Sequence, residues 1–172
     1  QRRVGRGPSL DDPRHLEQLG RFFGRLHNLG AVKAFEHRPT LDIDSFGVQS
    51  YQYLLEQGFI PVELEIAYRS LAEDLIKRIR TCFDNAGTVQ QIRLHGDCHP
   101  GNILWTDAGP HIVDLDDART GPAIQELWMF LSGDRPYMTG RLADPLAGYT
   151  ELRDCEPREL RLLAALRTLR MM

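Results

Sequence analysis

The sequence predicts a mainly helical α+β fold, and three observations carry that reading. Apolar residues recur at helical spacing on both sides of the chain's middle, short runs of strand character are confined to that middle, and Pro, Gly and acidic residues punctuate the changeovers. At 172 residues, 42% of them hydrophobic, the chain is long enough for one domain with a substantial core. A net charge of -3 gives no reason to expect a nucleic-acid polyanion as partner. Three cysteines, Cys82, Cys98 and Cys155, without a C-x-x-C pair, suit a reduced cytoplasmic protein better than a disulfide framework. No apolar run approaches a membrane span.

Taken in order, residues 1–12 are rich in Gly and Arg and read as a linker or hinge, with residues 13–172 as one lobe. Asp12 followed by Pro13 announces the first helix, on which Leu16, Leu19, Phe22, Phe23, Leu26 and Leu29 recur until Gly30. A loop through Pro39 leads to a second helix from Asp44 to Glu56. Pro61 opens a third, whose apolar stripe is Leu64, Ala67, Tyr68, Leu71, Leu75, Ile79, Cys82 and Phe83, ended by Asn85-Ala86-Gly87. The period then changes. Val89 to His95 reads as a strand, and Ile103-Leu104-Trp105 and His111 to Leu115 flank a turn at residues 106–110 as a hairpin. Beyond Gly121-Pro122 helix returns, with Ile124, Leu127, Trp128 and Leu131 on one face. A last helix runs from Pro157 through Leu160, Leu163, Leu166 and Leu169.

The chemistry sits around the predicted hairpin. In His95-Gly96-Asp97-Cys98-His99-Pro100-Gly101-Asn102, the His, Asp and Asn keep the spacing of H-R-D-x-x-x-x-N, with Gly in place of Arg. Phosphoryl transfer to a hydroxyl needs a carboxylate that orients the acceptor and takes its proton, which assigns Asp97 as base. It also needs hard oxygens for Mg²⁺, and an amide oxygen from Asn102 with a carboxylate from Asp114 suffices alongside substrate phosphates. The hairpin can bring Asn102 and Asp114 to one end. The competing reading of Asp97 alone is a loop residue capping nearby amides; the company of His95, Asn102 and Asp114 favours catalysis. His95, Cys98 and His99 also invite a transition-metal or phosphoesterase reading, but no further ligand cluster follows, so His95 is read as fixing the loop and Cys98 as a packed thiol. Asp116 and Asp117 are open between a metal or substrate contact and a solvated turn, with Arg119 neutralising them. Trp105 and Trp128 read as core, and Glu17 with Arg21 as a surface pair.

The strings from Arg93 to Trp105, from Val113 to Arg119, and from Gly121 to Met129 resemble the aminoglycoside phosphotransferase and choline kinase-like superfamily, and within it the bacterial stress response kinase A family. Gly20 to His27 and His37-Arg38-Pro39-Thr40 extend the likeness. The resemblance implies a protein-kinase-like fold in which this chain is the C-terminal lobe, with Asp97 as catalytic base, Asn102 as magnesium ligand, and Asp114 as a catalytic residue binding magnesium and the nucleotide phosphates. Leu115 and Asp116 replace the Phe and Gly that follow such an Asp in eukaryotic kinases. Glu126 stands where relatives commonly have Asp and is expected to hold the catalytic loop.

The expected function is an ATP- and Mg²⁺-dependent Ser/Thr protein kinase, a cytoplasmic monomer whose partners are ATP and a protein hydroxyl, with no nucleic acid or membrane. Rivals are a small-molecule kinase, a non-catalytic kinase-like binding module and a metal-dependent phosphoesterase. No Gly-rich phosphate loop is present, and neither Lys33 nor Lys77, the two lysines, lies in a strand. With no initiating Met and a helix running out at Met171-Met172, the chain is expected to be a piece of a longer polypeptide. On its own it is expected to lack kinase activity and to expose Leu163, Leu166 and Leu169.

Overall fold

The computed structural model describes residues 5–130 and 135–172. The expected helical face position Leu131 lies outside them. The element order is α1 (Pro13–Gly30), a π-helical turn (Asp44–Val48), α2 (Gln49–Glu56), α3 (Val62–Ala86), β1 (Gln91–Leu94), β2 (Ile103–Thr106), β3 (Gly109–Ile112), β4 (Arg119–Pro122), α4 (Ile124–Leu127), α5 (Arg135–Thr150), α6 (Pro157–Leu160) and α7 (Leu163–Met171). Short 3₁₀ turns at Pro100–Asn102 and Trp128–Phe130 precede β2 and follow α4. The mainly helical α+β class expected from the sequence is the class observed. No described helix is long and apolar enough to cross a membrane. The chain's contacts group into two compact units, one of residues 1–39 and 90–156, the other of residues 40–89 and 157–172.

In the first unit, α1 begins as the sequence announces. The Asp12 side chain accepts from Arg14 N–H, and Pro13 occupies the first helical position. Its buried face is Leu16, Leu19, Gly20, Phe23, Gly24 and His27. Leu29 is instead 67% exposed, because the buried face is set by a neighbour that the sequence reading lacked. That neighbour is α5, packed along α1. Pro145, Gly148, Pro136 and Gly140 look like helix breakers in the sequence, which hid it. In the fold, a Cβ on Gly20 would strike the Pro145 carbonyl, and one on Gly148 would strike the Glu17 carbonyl, so small residues are what let the two backbones meet. Arg21, expected in a surface pair with Glu17, also reaches Glu151 just past α5 at 2.6 Å, tying the middle of α1 to the end of α5.

The strands form two antiparallel pairs. β2 and β3 form a hairpin where one was expected, registered Ile103 to Ile112 and Thr106 to Gly109, but its turn is only residues 107–108 and its second strand ends at Ile112 instead of running from His111 to Leu115. β1 pairs with β4, Gln91 to Pro122 and Leu94 to Arg119. β4 was not expected, since Arg119-Thr120-Gly121-Pro122 shows no alternation; only its partner makes it a strand. Within the stretch read as a linker, Arg6 exchanges both backbone hydrogen bonds with Trp105, at 3.1 and 2.7 Å. Trp105 is buried and stacked on His15, ring centroids 4.1 Å apart, which agrees with a packing role.

In the second unit, α3 ends where expected, with Gly87 at φ 67°. The stripe is corrected. Ala72, Ile76, Ile79 and Ala86 are buried, whereas Leu64 is 53% and Leu71 58% exposed. Apolar residues occupy more than one face of α3, so periodicity could not choose the rotation. Tyr51, Ala72 and Ile76 form the cluster on which Ile43, Val48, Leu55, Tyr68 and Met172 pack. The expected last helix is broken after Leu160 into α6 and α7, and Leu166 and Leu169 are buried rather than exposed. Arg161 donates to the Asn85 carbonyl and Arg158 to that of Thr88, satisfying oxygens at the end of α3.

Two outcomes follow for stability. Gly148→Leu should lower unfolding free energy by about 3 kcal/mol, since the side chain meets backbone that cannot yield. Gly140→Ala, where a Cβ would meet nothing within 4 Å, should raise it by about 0.5–1 kcal/mol. Chemical denaturation of both variants checks the pair.

His27 provides a pH test. It is fully buried with Nδ1 2.9 Å from the Tyr149 hydroxyl and Nε2 unpartnered among the described residues. Burial first, and Arg153 second, hold its pKa down to about 3 from 6.5. Below 6.5 the unfolded chain therefore binds a proton that the folded one refuses. Stability should fall as pH drops through 6.5 toward 3, approaching about 1.4 kcal/mol per pH unit from this group. Denaturation curves between about pH 5 and 6.5 should show the slope, and His27→Leu should flatten it even if less stable throughout.

Candidate functional site

Every residue proposed for the site lies in the first unit, on the segment that runs from β1 to α4. β1 stops pairing at Leu94, and the chain then turns at Gly96, φ 89°, so closely under the next loop that a Cβ there would strike the Asp117 carbonyl. Only glycine fits. The amides of His95 and Gly96, left without a strand partner, both donate to Glu126, His95 N–H to Oε2 at 3.2 Å and Gly96 N–H to Oε1 at 3.0 Å. Glu126 lies on α4, fully buried. Burial raises its carboxyl above the ordinary range, while the thiol of Cys98, 3.0 Å from Oε2, and the two amides pull the other way. All three neighbours present hydrogens, the set matched to an ionised, acceptor-only carboxylate.

His95 is itself buried and bridges the two halves of the site. Its Nε2–H donates to the Val113 carbonyl at 2.8 Å and its Nδ1 accepts from Asp97 N–H at 3.3 Å, which fixes the neutral tautomer with the proton on Nε2. His95 thus links the residue before Asp114 to Asp97. Cys98 is buried as expected, and burial pushes its thiol far up, so it remains S–H.

Asn102, buried to 9% exposure, gives its Nδ2 to the Asp97 carbonyl at 2.9 Å and approaches Asp97 Oδ2 at 3.4 Å. That orientation leaves its Oδ1 without a hydrogen bond among the described residues. Across the hairpin, Val113 N–H donates to the Asn102 carbonyl at 3.0 Å, so the strand register delivers Asp114 next to Asn102. Asp114 has φ 65°, the left-handed region that Asp tolerates better than most side chains. Its carboxylate is exposed and makes no hydrogen bond or ion pair among the described residues. Two hard oxygen donors at one end of a hairpin, both uncommitted, fit Mg²⁺, which keeps several waters and takes few protein ligands. Among the described residues no group of three or more His, Cys, Asp or Glu side chains is arranged to hold a metal ion.

The Asp97 carboxylate is 26% exposed, with His99 Nε2 3.6 Å from Oδ2. Past Asp114 the acidic turn is clamped at its backbone: Arg38 donates to the Asp116 carbonyl at 2.6 Å and Arg119 to that of Asp117 at 2.7 Å. Arg119 also pairs with the Asp117 carboxylate, the neutralisation expected of it. The structure therefore brings Asp97, Asn102, Asp114, His95 and Glu126 together. Sequence reasoning missed Arg38, whose only signal was its place in a family-like string, and the donor role of Cys98, which has no sequence signal.

Comparison with known proteins bears on this arrangement. Stress response kinase A of Escherichia coli (strain K12) is 38% identical over 167 residues, covering 97% of this chain and 50% of that protein. Serine/threonine protein kinase RdoA of Salmonella typhimurium (strain LT2) is 36% identical with the same coverage. The chain spans about half the length of the curated relatives it matches. Among solved structures, amicoumacin kinase hAmiN in complex with AMP-PNP, Ca²⁺ and Ami superposes with a TM-score of 0.70 at 16% identity, over 99% of this chain and 54% of that one. The fold is therefore shared with phosphotransferases of a protein-kinase-like type. The profile of the family described as phosphotransferase enzyme family matches residues 2–166, nearly the whole sequence, and the chain belongs to that family.

Proposed function

We propose that this chain carries the catalytic centre of an ATP- and Mg²⁺-dependent phosphotransferase whose acceptor is a Ser or Thr hydroxyl of a protein. The observation that carries the reading is the division of labour in Asn102: its Nδ2 holds the backbone of Asp97 while its Oδ1 is left uncommitted beside Asp114. The relatives named stress response kinase A and serine/threonine protein kinase support the acceptor class. In the same reading residues 1–12 are a hinge, residues 13–172 form the C-terminal lobe, and the protein acts in the cytoplasm as a monomer.

Asp97 receives the acceptor's proton late in transfer and, before that, orients the hydroxyl by accepting its hydrogen bond. His95 keeps the Asp97 amide in place. Asn102 and Asp114 would hold Mg²⁺, whose charge would neutralise that of the nucleotide phosphates. Arg38 and Arg119 keep the turn after Asp114 from relaxing. Most of the rate enhancement in such chemistry comes from positioning, so the hydrogen bonds that fix the loop matter as much as the groups that touch substrate.

In the full-length protein, Asp97→Asn should lower kcat by at least about 10²-fold with Mg·ATP affinity nearly intact, because a base acts on the transition state more than on ground-state binding. Asp114→Asn, chosen because Asn also tolerates a left-handed φ, should weaken Mg·ATP binding as well as stop turnover. Asn102→Ala should lower both, having two jobs. Calorimetry with Mg·ATP and a phosphorylation assay on a protein substrate read the two effects separately. Unchanged turnover in Asp97→Asn would remove the assignment, and wild-type affinity in Asp114→Asn would place the metal elsewhere.

A further inference from the structure

We propose that Cys98 is a positioning residue of the catalytic loop: its thiol donates a third hydrogen bond to the buried Glu126 carboxylate and so fixes the loop on the far side of Asp97. The kinetic consequence rests on the phosphotransferase reading of Asp97; the hydrogen bond does not.

The arrangement around Glu126 is asymmetric without this thiol. His95 and Gly96 both precede Asp97, and their amides reach Glu126 at 3.2 and 3.0 Å. Cys98 follows Asp97, and its Sγ lies 3.0 Å from Oε2. One carboxylate therefore grips residues 95, 96 and 98, and leaves out only the residue between, Asp97, whose carboxylate stays partly exposed. The anchor is rigid, since all of Ile124–Leu127 is buried. Glu126 Oε2 would otherwise accept only one hydrogen bond in a site closed to water, which is an incomplete shell for a buried carboxylate. Cys98 is itself fully buried and burial keeps its thiol protonated, so it serves as a donor throughout the working pH range.

A buried cysteine more often acts as a small hydrophobe. The two roles order the substitutions oppositely. Packing favours Cys98→Val and Cys98→Ala over Cys98→Ser, whereas a donor role favours Cys98→Ser, which keeps an X–H group at the same position.

The test uses the full-length protein in two ways. With Cys82 and Cys155 replaced by Ala, the infrared S–H stretching band of Cys98 should sit at lower frequency than the band of Cys82 in a variant with Cys98 and Cys155 replaced by Ala. In kinetics, Cys98→Ala and Cys98→Val should lower kcat roughly tenfold, equivalent to about 1.4 kcal/mol of activation free energy, with KM for Mg·ATP nearly unchanged. Cys98→Ser should remain near wild type. A Cys98 band at the position of the Cys82 band, or a Cys98→Val enzyme as fast as wild type, overturns the proposal. Should Cys98→Ser fail to fold, the infrared band of the wild-type thiol decides alone. A displaced band in a protein with no phosphotransferase activity would sink the functional reading and leave the hydrogen bond standing.

Discussion

The site depends on a single buried carboxyl group. Pairing between β1 and β4 ends at Leu94, and the next two amides would be stranded inside the protein if Glu126 did not accept from both. An ordinary hydrogen bond contributes about 1 kcal/mol, but leaving a buried polar group without its partner costs about 1–3 kcal/mol, so losing Glu126 would strand two amides at more than the value of their bonds. From it the rest follows in order. The loop is held on α4, the His95 ring is presented to Val113, and Asn102 is placed to meet both Asp97 and the end of the hairpin.

A second constraint acts through backbone conformation. Gly96 and Asp114 both have positive φ, one letting the catalytic loop pass beneath the Asp117 carbonyl, the other turning the chain after β3. A left-handed Asp costs about 1–2 kcal/mol, which the clamps from Arg38 and Arg119 on the following carbonyls offset. Strain of this kind persists only where surrounding bonds over-determine it, and the residue that carries it here is the one whose carboxylate is left uncommitted.

The legible parts of the sequence were those governed by local rules. Asp12 with Pro13, Gly87, and the runs of residues 103–105 and 111–115 about a turn each announced an element that exists, the last with its second strand set too late in the chain, because caps, stops and hairpins are decided within a few residues. What failed was decided elsewhere in the chain. β4 is a strand only because β1 lies beside it; α5 survives Pro145 and Gly148 because those residues make its contact with α1; and α3 buries Ala72 and Ile76 rather than Leu64 and Leu71 because its neighbours select that face. In the site, the spacing of Asp97, Asn102 and Asp114 was readable as a motif. Glu126 came only through family likeness, and the Cys98 thiol contact through neither, since a hydrogen bond across 28 residues leaves no mark on either neighbourhood.

The segment between Pro39 and Gln90 leaves and rejoins the site-bearing unit at one place. The Pro39 carbonyl accepts from Thr120 N–H at 2.9 Å, and Gln91 pairs with Pro122, so the exit and return are both stitched to β4 within three residues of each other. A chain excursion closed in this way is a loop in the polymer sense, whatever it folds into. The entropy of closing it grows only as the logarithm of its length, about 0.6 kcal/mol per doubling, and falls on β4 rather than on the loop that holds Asp97. Every residue that bonds Glu126, namely His95, Gly96 and Cys98, lies outside this excursion, in the stretch of chain that follows its return.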